Sequence, residues 1–285
     1  MHNSRRLFFK HGGMGLLAWS LSSSVISSDL FARKGEMTAS KKEELFQIAI
    51  AGWTFVKFAI DPSLAMTKRL DIKYFCLKDF HLPLDCTSEQ IAEIHQKLSD
   101  QGIKCHAVGP LYMDSPTAVD KVFAYAKRVG VELVIGVPNP ELLPYVDEKV
   151  KEYGFRFAIH NHGIGDKHFA TVKSIYDQVK DLDARIGICH DIGYSAQMGF
   201  DPAKVTLEYG HRIYEMHIKD ITEASAQARD CEIGRGIIDF EALVKALRTT
   251  RYQGKCSIEM EKDNTDPLPA IAESVGYLRG VIKSI

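Results

Sequence analysis

The residues best equipped for chemistry stand at the ends of short apolar runs. Arg212-Ile-Tyr-Glu-Met-His-Ile-Lys-Asp220 reads as a buried strand ending in His217, Lys219 and Asp220. Strand side chains alternate between two faces. Tyr214, Met216 and Ile218 therefore make an apolar face that suits packing under a helix, while Glu215, His217 and Lys219 share the other. The same parity groups Arg156, Ala158, His160 and His162 in Phe155–His162. It groups Gly187, Cys189 and Asp191 in Arg185–Asp191, and Ser257, Glu259 and Glu261 in Lys255–Glu261. His160, Asp191, His217 and Glu259 thus end consecutive strands on one inferred face. Two imidazoles and two carboxylates form a mixed N/O site, suited to Mn, Co, Fe or Zn rather than Ca. One divalent ion is expected, with Mg retained among the choices. His162, Lys219 and Glu261 lie two residues beyond ligands, roughly 6–7 Å further along, which places them near a bound substrate. His190 falls on the opposite parity and reads as structural.

Eight apolar runs are available to position these residues: Phe46–Ala51, Ile72–Leu77, Ile103–Val108, Leu133–Val137, Phe155–Ile159, Ile186–Cys189, Ile213–Ile218 and Cys256–Ile258. Amphipathic stretches separate them. Ser88–Asp100 carries Ile91, Ile94 and Leu98 on one face, with Ser88 as the expected N-cap. Thr117–Val129 is stopped by Gly130, and Phe240–Leu247 follows the cap residue Asp239. No glycine-rich phosphate fingerprint follows the first strand. The pattern predicts a single-domain (β/α)8 TIM barrel over residues 41–285, whose strand C-termini converge on the functional face.

The first 40 residues are set aside as a leader. Ser4-Arg5-Arg6-Leu7-Phe8-Phe9-Lys10 is a twin-arginine pattern, followed by a modest apolar run from Gly12 to about Leu21 and a serine-rich stretch. That run is too short and too interrupted to span a bilayer stably. Export by the twin-arginine machinery to the periplasm is expected, with cleavage near Ala32, although Leu30 is a poor residue three positions before the cut. A formal net charge of -1 argues against nucleic acid as a partner. Four of the six cysteines sit in apolar strand-like runs, and no disulfide is expected.

HNHG, DIGY…GFDP, HIKD, GRGIIDF and SIEME resemble, in order, the strand-end motifs of the xylose-isomerase-like barrel superfamily, which includes sugar isomerases and epimerases, inositol-pathway enzymes and endonuclease-IV-like proteins. The similarity covers essentially the whole chain after the leader and is strongest after Phe155. The resemblance implies metal ligands at His160, Asp191, His217 and Glu259. It also implies proton abstraction beside a carbonyl, with the metal stabilising the enediolate. Two positions depart from the family pattern: His160 stands where Glu is usual, and Tyr194 where His is frequent. A histidine keeps a ligand but removes a carboxylate base. Proton transfer is therefore expected from Glu259 together with His162, whose ordinary pKa suits a base, and with Lys219 and Glu261 beside them.

Further candidates for substrate contact are Lys78 and His81 past the second strand, His106 at the end of the third, Trp53 after the first and Arg235 in Gly234-Arg-Gly236. Each has a plain alternative: a solvated loop for Lys78 and His81, core for Trp53, an ordinary loop arginine for Arg235. The parity of His106 is ambiguous. The expected activity is that of an exported, metal-dependent isomerase or epimerase acting on a free sugar or keto-polyol. The alternatives are a lyase or hydrolase of oxidised glycosides that works by elimination, and a sugar-binding barrel without turnover.

Overall fold

The computed structural model describes residues 46–285. Eight parallel strands close into a barrel, and helices return the chain along its outside. In chain order, β1 (Gln47–Ala51), α1 (Ile60–Arg69), β2 (Tyr74–Leu77), α2 (Ser88–Asp100), β3 (Lys104–Met113), α3 (Pro116–Val129), β4 (Leu133–Pro138) and α4 (Leu143–Tyr153) form the first half. β5 (Arg156–His160), α5 (Val172–Val179), β6 (Ile186–Asp191), α6 (Ile192–Gln197), α7 (Pro202–Tyr209) and β7 (Ile213–Ile218) follow. A small antiparallel pair, β8 (Asp220–Ile221) and β9 (Asp230–Cys231), leads to α8 (Phe240–Thr249), β10 (Lys255–Ile258) and α9 (Leu268–Ser284). Pairing of β1 with both β2 and β10 closes the barrel.

Each predicted strand is present, and most boundaries move by one or two residues. β3 is longer than the apolar pattern indicates, because it continues through Gly109-Pro110 to Met113 after a shift of register against β4. The cap of α2 is Thr87, not Ser88. Thr87 accepts from the Gln90 N–H, while the Gln90 side chain accepts from the Thr87 N–H, so two otherwise unpaired donors are satisfied together. Gly130 ends α3 at φ 77°, a left-handed conformation that glycine adopts without steric cost. Asp239 caps α8 through the Ala242 N–H.

Large apolar side chains fill the layer between strands and helices. Phe123 of α3 stacks on Phe157 of β5 with centroids 5.7 Å apart and planes within 5°; truncating a ring so buried costs about 3–5 kcal/mol. Inside the barrel the filling is small: Cys76, Ala107, Ala158 and Cys189 are fully buried beside Leu133 and Ile135. All six cysteines are free thiols. Among the described residues no helix is long and apolar enough to cross a membrane. The twin-arginine pattern and the leader lie outside the described residues.

Candidate metal centre and active site

The strand ends bring four buried ligand-type atoms together: those of His160, Asp191, His217 and Glu259 all lie within 4.8 Å of one another. His160 Nε2 is 3.0 Å from His217 Nδ1, and His217 Nδ1 is 3.1 Å from Glu259 Oε2. His160 Nε2 stands 3.7 Å from Asp191 Oδ2. Register explains the grouping. Asp191 is level with His217 across β6 and β7, whereas His160 is level with Cys189 and Ser257 with His217. The ligands therefore come from successive levels of tilted strands.

Neighbours hold each ligand in place. Asn161 clamps the ends of β5 and β6, its Oδ1 accepting from the Asp191 N–H (2.8 Å) and its Nδ2 donating to the Asp191 carbonyl (3.1 Å). Asp191 Oδ1 caps α6 by accepting from the Tyr194 N–H at 2.9 Å, while its buried Oδ2 has the Lys219 ammonium at 3.2 Å as its polar neighbour outside the four. A buried carboxylate oxygen grouped within 4.8 Å of two ring nitrogens and a second carboxylate fits a divalent ion coordinated by N and O. His190 turns outward and meets Ser195 Oγ at 2.9 Å, as the parity requires of a structural residue.

The electrostatics suit such an ion. Burial pushes His160 down to about 4, so its ring is neutral and has a lone pair to give. Burial alone would raise Asp191 and Glu259, but positive neighbours outweigh it. The Lys219 ammonium holds Asp191 below the usual range, and His217 and Lys219 hold Glu259 well below it. Burial works against a proton on His217, yet Glu259 and Asp191 raise the ring above its ordinary value.

Lys219 sits closer to the ligands than strand spacing alone indicates. Its Nζ is 3.2 Å from Asp191 Oδ2 and 3.1 Å from both Glu259 Oε2 and Glu261 Oε1. A glycine makes room for its stem, since a Cβ at Gly193 would stand 2.4 Å from Lys219 Cγ. Burial opposes the charge on Lys219, but the surrounding carboxylates raise its pKa well above normal and keep it an ammonium.

His162 lies past the end of β5. Its ring is 4.6 Å from that of His160, centroid to centroid, and stands between Asp166 (Nδ1 to Oδ2, 3.3 Å) and Tyr112 (Nε2 to OH, 3.2 Å). Burial lowers its pKa despite the Asp166 charge. Trp53, Lys78, Tyr112 and Tyr194 complete a mouth of about 150 Å³ over His160 and Glu259. Lys78 is buried there, donating to the Pro110 carbonyl, with Nζ 5.7 Å from the Trp53 ring centre.

Three expected substrate contacts lie elsewhere. His81 is buried, with Nε2 3.4 Å from Ser63 Oγ of α1 and its ring against Phe75, so it packs under the mouth without lining it. His106 faces the N-terminal end of the barrel, where its Nε2 meets Glu215 Oε1 at 3.1 Å and Ser257 also bonds Glu215. Arg235 is engaged by Glu273 of α9 through both Nε and Nη2. Sequence reasoning passed over Tyr112, Asn161 and Asp166. Asn161 had a visible signal, an amide between two histidines. Asp220 proves to organise the loop: its carboxylate accepts from the N–H groups of Ile221, Gly234, Gly236 and Ile238.

A family model described as xylose isomerase-like TIM barrel matches residues 141–281. Among curated proteins, the rhizopine catabolism protein MocC of Rhizobium meliloti is 26% identical over 149 residues, covering 46% of this chain and 44% of that one. The chain thus spans less than half the length of that relative. Inosose dehydratase of Bacillus thuringiensis (strain Al Hakam) is 25% identical over 218 residues, covering 68% of each chain. Among solved structures, an uncharacterized protein from Parabacteroides distasonis ATCC 8503 shares 26% identity, with a TM-score of 0.67 over 83% of this chain and 99% of that chain. The IOLI protein, solved with a zinc atom, has a TM-score of 0.72 at 18% identity over 84% of this chain and 99% of its own, a likeness of fold. The family match over residues 141–281, taken with the closed barrel and these relatives, supports the xylose isomerase-like TIM-barrel superfamily for this chain.

Proposed function

We propose that the protein is a divalent-metal-dependent enzyme that removes the proton beside the carbonyl of a sugar-like keto-polyol, as an isomerase, an epimerase or a lyase. The observation that carries this reading is the convergence of His160, Asp191, His217 and Glu259 within 4.8 Å beneath an open mouth. A bound ion would supply the Lewis acidity that polarises the carbonyl. The residues of the chain do the rest. Glu259 Oε2 and the His162 ring are the groups placed to accept a proton, Lys219 offers positive charge to a developing oxyanion, and Trp53 offers an apolar face for a ring.

Elimination gains support from the loss of a carboxylate at position 160. Two-base epimerisation needs proton carriers on both faces of the substrate, whereas elimination needs one base and a departing group on the neighbouring carbon. The relative named inosose dehydratase points the same way. Export to the periplasm is part of the proposal and rests on Arg5 and Arg6 with the apolar run behind them.

The test is incubation of Mn-, Co- or Zn-loaded protein with keto-sugars and keto-glycosides in heavy water, followed by mass spectrometry. Uptake of one deuterium at unchanged chemical formula marks isomerisation or epimerisation, and release of water or an aglycone marks elimination. Absence of both deuterium uptake and fragmentation across the panel rejects the reading.

A further inference from the structure

The mouth over His160 and Glu259 is not isolated. It shares Tyr194 and Glu261 with a second cavity of about 590 Å³, walled by α6 on one side and the β8–β9 hairpin on the other, with Lys219 along its border. The metal-side lobe, at about 150 Å³, has the smaller volume by far. Ligand pockets for drug-sized molecules occupy roughly 300–1,000 Å³, so the second lobe alone is large enough to hold a ring and the first accepts little beyond the reacting end.

The lysine charge in the larger lobe is already committed. The Lys219 ammonium is shared among three carboxylates, and Lys262 is paired with Glu232 at 2.6 Å. Arg229 and Asp230 line the lobe side by side in sequence, and Asp230 Oδ2 accepts from the Glu261 N–H at 2.9 Å. Among the described residues the side chains of Arg229 and Gln197 have no ion pair or hydrogen bond of their own, and both line the lobe. One free guanidinium beside two paired lysines is less than the cluster of cations that favours a phosphate. The wall offers instead unused donors, an acceptor at Asp230 and the aromatic side chain of Tyr194, the combination that suits a neutral ring bearing hydroxyl groups.

We propose that the substrate has two parts, a keto-ring whose reacting edge enters the metal-side lobe and a second, neutral polyhydroxylated ring held in the lobe of Gln197, Arg229 and Asp230. This rests on the proposed metal-dependent chemistry. It adds that the substrate class is a disaccharide-sized glycoside, and that the second lobe sets the preference for it.

The assignment is tested by binding, apart from turnover. Metal-loaded full-length protein is titrated calorimetrically with glucose, glucose 6-phosphate, cellobiose, maltose, trehalose and sucrose, none of which carries the ring ketone required for reaction. At least one disaccharide should bind tenfold or more tighter than glucose. Ala228→Trp, which fills the lobe from its hairpin side, should abolish that advantage while leaving glucose binding and ion content unchanged. Arg229→Ala should reduce it severalfold. Equal affinity for glucose and every disaccharide, no binding of any sugar, tighter binding of glucose 6-phosphate, or an advantage that survives Ala228→Trp would each overturn the proposal. A clear disaccharide preference without deuterium exchange on any keto-substrate would reject the chemistry instead, so the two failures are distinguishable.

Discussion

The ammonium of Lys219 lies 3.2 Å from Asp191 Oδ2 and 3.1 Å from Glu259 Oε2, two of the atoms that fit an ion. A fixed cation and a divalent ion then compete for the same two carboxylates, Asp191 and Glu259. At an effective dielectric near 20, unit charges about 4 Å apart interact by about 4 kcal/mol. Lys219→Met should therefore tighten binding of Mn or Co by about tenfold or more while lowering turnover by roughly 10²-fold through loss of oxyanion stabilisation. Ion titration paired with steady-state rates checks this; weaker ion binding in the variant would show that the lysine shapes the site without competing.

Removal of a ligand should act in the opposite sense. Asp191→Ala and His217→Ala should each abolish binding of one divalent ion per chain, as read by metal analysis after Mn, Co and Zn loading. Binding should also depend on pH. The His217 proton must leave before its Nδ1 can bind an ion, and its pKa is raised above 6.5. Affinity is thus full above that raised pKa and falls as pH drops through it, by roughly tenfold per unit. His160, at about 4, adds competition only in stronger acid. A flat affinity between pH 8 and pH 5.5 would remove His217 from the ligand set.

His162 is placed beside the ligand His160 and gripped by Asp166 and Tyr112, so it is oriented without being a member of the four. His162→Gln should leave ion content intact and lower turnover by roughly 10²–10⁴-fold, the range of a lost general base. Full turnover in that variant would transfer the role to Glu259.

Replacing both Arg5 and Arg6 by Lys should strand the precursor in the cytoplasm, because the paired guanidiniums are what the exporter reads. Fractionation of cells expressing each form measures the outcome, and unchanged periplasmic accumulation would reject export by this route.

The barrel was legible because strand period and helix period seldom conflict in this chain, and because cap residues and glycines mark the ends of helices. Parity then brought out His160, Asp191, His217 and Glu259 together, since the one shift of register among β5, β6, β7 and β10, between Ile188 and Cys189 against β7, falls before the strand ends and leaves those ends in phase. It failed where phase is interrupted. Register shifts beside β3, between Phe75 and Cys76 and between Val108 and Leu111, left His106 undecidable from alternation. Arg235 stayed undecided for a different reason: its partner Glu273 lies 38 residues away on α9, a distance that local pattern does not span. Lys219 was expected beyond the ligands, but its stem passes over the bare backbone of Gly193 and its ammonium reaches Asp191 and Glu259. The neighbours Thr87 and Ser88 are both good caps by type, and the side chain of Gln90 chose between them.

Asp191 divides its two oxygens between separate tasks, Oδ2 toward the cluster and Oδ1 to the first turn of α6. That helix carries Tyr194, whose ring stands at the border of both lobes. If the proposed ion binds, a carboxylate drawn toward it would pull on its grip of the helix, and Tyr194 would move with it. A ligand that steadies Tyr194 would then hold the ion more firmly in return, by the reciprocity that any shared equilibrium imposes.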